Sequence, residues 1–257
     1  MERIMERMTM NAGAPGWDAE NAEIANLTAR QELAVMLRLL CAEGFDDHLF
    51  GHVTVDQGDG TFLSNPAEVG WDQVRASDLL VVDKNRRRLE GKGTPHGGLS
   101  IHFAMRQYAA PGTANVVIHN HPRYATLWAA RRQVPPIYDQ GGAWDNCDLL
   151  LLEDYGNNLE IGLRHGKALG DAGWALLAHH GVLIAGSSLA EAYFRSVVLE
   201  TRSRRAWEIQ AMQGETPLPM SAEFVSKAME GGGAAYRKFW WNFGKRRQLR
   251  HDRTVLE

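Results

Sequence analysis

From Ala172 to Ala190 the chain carries no Asp, Glu, Lys or Arg. A stretch that long without charge belongs either in a bilayer or in the buried interior of a sheet. Its other residues decide between the two. His179, His180, three glycines and the pair Ser187-Ser188 interrupt the apolar run, and such residues are costly or helix-weakening in lipid. The stretch therefore predicts two buried strands, Trp174 to Ala178 and Val182 to Ala185, flanking a turn, in a soluble protein without membrane association. A length of 257 residues suits one large α/β domain or two small ones. With 44% hydrophobic and 23% charged residues the chain is not predominantly disordered. The 28 Lys+Arg against 31 Asp+Glu leave a net charge of −3 and no global field for nucleic acid. Two cysteines, Cys41 and Cys147, exclude a disulfide-rich secreted scaffold and a cysteine-based zinc module, and they fit a reducing cytoplasm. Met1 to Met8 mixes acids with bases and does not read as a secretory signal.

Along the chain, strand and helix patterns alternate. Residues 1–25 lack periodicity and read as a flexible lead-in, whereas Leu27, Leu33, Met36, Leu37 and Leu40 recur at helical spacing up to Gly44. His52 to Val55, the turn Asp56 to Gly60, and Thr61 to Ser64 read as a β-hairpin. Leu79 to Asp83 is a buried strand followed by a solvated turn with Arg86, Arg87 and Arg88. A Gly/Pro-rich loop, 91–98, feeds a helix from Leu99 to Ala109, and Asn115 to His121 forms a short apolar strand stopped by Pro122. Helices are expected at 123–131, 159–172 and 188–212, and a strand at 148–153. Ser188 and Glu191 have capping-box spacing at the start of the last helix, whose later turns expose Arg202, Arg204 and Arg205. Residues 26–216 make one domain, and 217–257 a tail packing on it or on a neighbouring subunit.

Chemistry concentrates in the histidines. Side chains alternate faces along a strand, so His119 and His121 point the same way and can both reach one metal ion. His179 and His180 end another apolar strand at a turn, and as sequence neighbours facing opposite sides at most one can join the pair. His96 and His102 flank the loop-to-helix junction ahead of the His-x-His strand. No phosphate-binding loop, dinucleotide fingerprint, H-E-x-x-H or G-x-S-x-G motif occurs.

Several segments together resemble the class II aldolase/adducin family. They are Gly51-His52-Val53-Thr54-Val55, Asn65-Pro66 with Ala76-Ser77-Asp78-Leu79, Val117-Ile118-His119-Asn120-His121-Pro122, and His180-Gly181-Val182-Leu183, in matching order from about residue 27 to residue 212. The resemblance implies a three-layer α/β/α fold with a central, mainly antiparallel sheet. It implies one divalent metal ion per subunit (Zn, Mn or Fe) held by His119, His121 and His180, with His179 left out. It also implies a homotetramer with active sites at subunit boundaries, where the C-terminal aromatics Phe239, Trp240, Trp241 and Phe243 complete a neighbour's pocket. Aldolases of the family have a proton-shuttling Glu four residues before the position of His102. Gly98 stands there in this chain, and His96-Gly97 replace the hydroxylated residues that bind substrate phosphate. In this the sequence is similar to a branch lacking that Glu, which includes aromatic-acid decarboxylase-like proteins and iron-dependent prenylated hydroxybenzoate synthases.

The expected function is a metal-dependent carbon–carbon lyase, a decarboxylase or retro-aldolase, acting on a small hydroxy- or keto-acid through a metal-stabilised enolate. His96, His102 or His52 supplies the proton, and Tyr138, Asp139, Asp145 or Glu153 is a candidate to replace the missing carboxylate through space. The alternatives are a mononuclear Fe(II) oxygenase on the same three histidines and, last, a non-catalytic adducin-like module.

Overall fold

In the computed structural model, residues 17–145, 148–153, 159–169, 172–215, 217–230 and 233–257 are described. The hairpin of β1 (His52–Asp56) and β2 (Thr61–Ser64) is closed by its own acids: Asp56 accepts from the Gly58 amide at 2.8 Å and Asp59 from the Thr61 amide at 2.9 Å. These are local turns that aspartate side chains favour. The remaining strands are β3 (Leu80–Asp83), β4 (Arg88–Glu90), β5 (Val116–Asn120), β6 (Leu150–Leu152), β7 (Trp174–Leu177) and β8 (Gly181–Gly186). All eight join one sheet in the order β4-β3-β2-β1-β5-β8-β7-β6. Pairing is antiparallel throughout, except for the parallel pair β6–β7. The charge-free stretch thus forms two adjacent buried strands, β8 beside β5 and β7 beside the edge strand β6, as its composition predicts.

Helices cover both faces. On β5, Val116 and Ile118 point to one side and Val117 and His119 to the other. The first side belongs to the main core, formed with α2 (Ala29–Ala42), α4 (Arg123–Arg131), α6 (Leu189–Ala211) and α8 (Gly233–His251), through Leu33, Leu37, Trp128, Phe194 and Trp241 among others. The second side packs Val117, Leu183 and Ala185 against Ile101 and Met105 of α3 (Ser100–Arg106) and Leu169 of α5 (Leu159–Leu169). The result is the expected three layers. On the thinner side α5 approaches α3 at Gly162 and Gly166: a Cβ at Gly166 would lie 2.8 Å from Met105 Cα. That contact fixes α3, which carries His102.

Several local expectations are corrected. Helix α3 is only seven residues long and follows a 3-10 turn at Gly97–Leu99. Arg88 begins the short edge strand β4 instead of completing a turn. Arg202 is buried, not exposed: its Nε donates to the Pro135 carbonyl at 2.8 Å. Glu191 caps α6 through Ser187, whose amide it accepts at 2.8 Å, while Ser188 Oγ accepts from the Glu191 amide. The aperiodic lead-in contains a helix, α1 (Trp17–Ala25), tied to α8 by Arg250–Glu20 at 2.6 Å and by Lys245 Nζ donating to the Ile24 carbonyl at 2.8 Å. The first 16 residues, Cys147, Gly231 and Gly232 lie outside the described residues.

Past α7 (Ala222–Glu230), α8 lies against α6 and α2 of its own chain. Trp240 packs edge-on to Phe194 at 5.1 Å and Trp241 against Tyr193 at 5.6 Å, whereas Phe243 is 60% exposed. Among the described residues no helix is long and apolar enough to cross a membrane.

Candidate metal centre

His119, His121 and His180 meet at one edge of the thinner side of the sheet. His119 is on β5, His121 one residue beyond its end, and His180 in the turn joining β7 to β8. Each offers a ring nitrogen, and these nitrogens all lie within 4.8 Å of one another. The turn explains which of the two adjacent histidines enters. His179 takes a left-handed φ of 56° and is exposed, while the His180 amide donates to the Leu177 carbonyl at 2.9 Å and its ring comes within 4.7 Å of His119. Glycine is required next: a Cβ on Gly181 would lie 2.5 Å from the Asn120 carbonyl oxygen and collide with the His121 ring.

The far nitrogens of two rings are already engaged. His119 Nδ1 is 2.9 Å from the Val182 carbonyl, which can only accept, so Nδ1 carries the proton and Nε2 the lone pair. His121 Nδ1 bonds the Asp47 carboxylate, by the same logic leaving Nε2 a lone pair. That Nε2 is buried and has no hydrogen-bond partner among the described residues. Imidazoles held this way, by a carbonyl and a carboxylate, are set as metal ligands are set. Burial holds His119 well below the usual imidazole range, with His180 and His121 pushing the same way; burial first and then His121 and His165 pull His180 to about 4. Both are neutral at pH 7, the state a ligand needs. The residues fit a divalent ion.

His52, His96 and His102 adjoin this cluster. His52 is the cross-strand partner of His119, with ring centroids 4.8 Å apart, and its ring also lies 4.3 Å from His96 and 4.7 Å from His102. Gly98 faces it: a Cβ there would lie 2.3 Å from His52 Nε2, in collision with the ring. The imidazole therefore fills the space into which a glutamate at residue 98 would grow. His52 Nδ1 and His102 Nε2 are 2.9 Å apart, His102 Nδ1 and Thr54 Oγ1 2.9 Å, and Arg106 Nη1 donates to Thr54 Oγ1 at 2.8 Å. Burial keeps His52 and His102 well below the imidazole range. His96, half-buried and shifted down by burial, accepts the Gly98 amide on Nδ1 at 3.1 Å.

None of the four acidic or phenolic candidates from the segment after α4 replaces a carboxylate here. Asp139 pairs with Arg205 at 2.6 Å, buried Asp145 with Arg195 at 3.3 Å, Glu153 with Arg132, and Tyr138 packs on the main core. The carboxylate beside the histidines is Asp47, which sequence reasoning missed, together with the roles of Thr54 and Arg106. Asp47 sits in the loop before Gly51, and no spacing rule links it to His121. Asn120 holds this loop: its Nδ2 donates to the Phe45 carbonyl at 3.1 Å, and its Oδ1 accepts the His121 amide at 2.6 Å.

Comparison with known proteins places this architecture. The solved structure of an aldolase II superfamily protein from Pseudomonas syringae superposes with a TM-score of 0.78 at 22% identity, covering 91% of this chain and 99% of that one. L-fuculose 1-phosphate aldolase from Glaciozyma antarctica PI12 gives 0.73 at 20% identity, over 86% and 88%. Identities that low show the fold. In sequence, a protein of Pseudomonas aeruginosa, provisionally named as an aldolase class 2 protein, is 27% identical over 195 residues, 73% of this chain and 72% of that one. The family model for the Class II Aldolase and Adducin N-terminal domain matches residues 31–207. That span runs from α2 through most of α6 and includes every histidine of the cluster, so the chain belongs to the class II aldolase/adducin family.

Proposed function

We propose that the protein is a metal-dependent carbon–carbon lyase, a decarboxylase or retro-aldolase, acting on a small, unphosphorylated hydroxy- or keto-acid. One observation carries this reading: three imidazoles converge beside a fourth, His52, that occupies the volume of the family's missing glutamate. His119, His121 and His180 would hold one divalent ion (Zn, Mn or Fe), which when bound supplies Lewis-acid polarisation of substrate oxygens as the bond to carbon breaks.

The proton is handled by the chain itself. Arg106 can only donate, so it takes one lone pair of Thr54 Oγ1, and the hydroxyl proton is directed to His102 Nδ1. His102 then carries its proton on Nε2 and donates to His52 Nδ1, which places the His52 proton on Nε2, facing Gly98. This tautomer is assigned from hydrogen-bond balance. In it His52 would pass its Nε2 proton to the carbon left by cleavage as its Nδ1 takes the His102 Nε2 proton and His102 Nδ1 takes the Thr54 hydroxyl proton, with Arg106 facing the oxygen that gives it up. Reversing the two bonds turns the same ring into an acceptor. His102 is then a positioning residue, and His96, stacked on His52, flanks the substrate space.

Residues 26–216 form the catalytic domain in this reading, with 1–25 and 217–257 as flanking segments, in a cytoplasmic homotetramer with sites at subunit boundaries. Leu49 and Phe50, 48% and 60% exposed beside His121, offer such a boundary an apolar surface to cover. The test is elemental analysis of the protein purified without chelator, followed by anaerobic turnover assays with candidate hydroxy- and keto-acids. The expected result is near-stoichiometric metal, lost in His119→Ala, and carbon–carbon cleavage that proceeds equally with and without air. A His119→Ala variant that keeps its metal sinks the assignment, and strict dependence on dioxygen replaces the lyase with the iron oxygenase.

A further inference from the structure

A second cavity, of about 550 Å³, lies on the same side of the sheet as the histidines, between α3 and the β3–β4 hairpin. Three cationic residues line it, Lys84 and Arg86 from the hairpin and Arg106 from α3, together with the rings of Phe62 and Phe103; no carboxylate is among its lining residues. The hairpin is folded down over α3 by design of the backbone. Arg86 takes a left-handed φ of 64°, its amide donates to the Asp83 carbonyl at 2.9 Å, and its Nη1 donates to the Gly97 carbonyl at 2.8 Å. Arg86, expected in a solvated turn with Arg87 and Arg88, is thus tied to the loop ahead of α3.

Arg106 is the unusual member. Its guanidinium donates to Thr54 Oγ1 at 2.8 Å, to the Thr54 carbonyl at 3.1 Å and to the Asn115 carbonyl at 3.2 Å, and it sits 4.9 Å above the Phe62 ring. Each of these partners is neutral. Asp56 acts on Arg106 only through space and forms no ion pair with it. The buried Nε has no hydrogen-bond partner among the described residues. Burial draws the group down to about 10, so it remains charged at neutral pH. A half-buried cation whose hydrogen bonds are all to neutral groups, beside two more cations, has only the through-space pull of Asp56 and no ion pair to offset its desolvation.

We propose that this cavity is a binding site for a small oxyanion, a phosphate or carboxylate group, gripped by Lys84 and Arg86 above and Arg106 below. Phe62 and Phe103, with ring centroids 4.9 Å apart, give it an apolar wall suited to a compact body carrying that anion. Guanidinium groups match the planar geometry of both oxyanions, and a lysine adds a point charge. The pocket shares no lining residue with His119, His121 and His180, the cluster that would hold the metal, although Arg106 also donates to the Thr54 hydroxyl beside His102; the proposal does not depend on the lyase reading.

The test is isothermal titration calorimetry of the purified full-length protein with inorganic phosphate and, separately, with benzoate. The comparison is between wild type, Lys84→Glu, and Lys238→Glu as a control of equal charge at an exposed position of α8. Lys84 lines the cavity, is exposed and makes no hydrogen bond or ion pair among the described residues, so its replacement leaves the fold intact, and phosphate held at the metal cluster is indifferent to it. Saturable binding of at least one probe to wild type and Lys238→Glu, weakened about tenfold or more in Lys84→Glu, is the expected result. A preference for phosphate or for benzoate separates a phosphorylated ligand from an organic acid. The proposal is overturned if neither probe saturates, or if Lys84→Glu binds as Lys238→Glu does.

Discussion

Gly98 and His52 compete for one volume, since a side chain at residue 98 would begin where the His52 ring already lies. Gly98→Ala is therefore expected to displace that ring and cost ~1–3 kcal/mol in urea unfolding. The double variant Gly98→Ala/His52→Ala should recover part of the loss, and strict additivity of the two would show that they do not share space. Asp47 acts at a different point, through the far nitrogen of His121. Asp47→Asn should weaken metal binding by roughly 10–100-fold in chelator competition while leaving the fold intact; an unchanged affinity would mean the carboxylate is not orienting a ligand. At this scale the sequence is partly legible. The common face of His119 and His121 follows from strand alternation alone. The choice of His180 over His179 depends on a left-handed residue inside the turn, which a neighbour-alternation rule does not foresee, and there the family resemblance supplied what the pattern could not. Asp47 and Arg106 reach partners 74 and 52 residues away, so local periodicity holds no trace of them.

Among the elements, α4 shows how the wall behind the cluster is built. It starts immediately after His121-Pro122, and its first amides have no helical partners. Glu200 of α6 accepts the Tyr124 and Ala125 amides at 2.8 and 2.9 Å, capping α4 from across the main core. Glu200→Ala is expected to cost ~1–2 kcal/mol, and hydrogen exchange should show the first turn of α4 opening faster; uniform exchange along the chain would argue against a capping role. Elements with strong periodicity, such as α2 and the β1–β2 hairpin, are readable in sequence. Those missed are short or unusually surrounded. β4 has three residues, all exposed, and no apolar alternation to detect. α1 has little apolar stripe of its own and is held by the ion pairs of Glu20 with Arg250 of α8 and of Glu23 with Arg253 in the 3-10 turn that follows it, and Arg202 faces the interior because the Pro135 carbonyl awaits it there.

For the whole molecule, the buried histidines tie stability to pH. His52, His102, His119 and His180 are all depressed, so between about pH 4 and 6.5 the unfolded chain binds protons that the native one refuses. Stability then rises with pH in that window and falls as pH drops below ~6.5, by up to ~1.4 kcal/mol per pH unit for each histidine. Glu200 works in the opposite sense: burial raises it to about 7, so its contribution is present at low pH and lost as pH rises through 7. Four groups outweigh one, and the metal-free protein should show a falling urea midpoint from pH 7 to pH 5; a flat profile would mean the rings are solvated. The antiparallel pairing of β1 with β5 has a further consequence. It sets His52 opposite His119 and Val53 opposite Ile118, so alternate positions along the same two strands serve the cluster and the main core. A slip of one residue would turn Val53 toward the imidazoles and His52 into the hydrocarbon interior. Misaligned chains would thus lose their chemistry and their packing together, and the content of tightly held metal in a preparation would count its correctly threaded molecules.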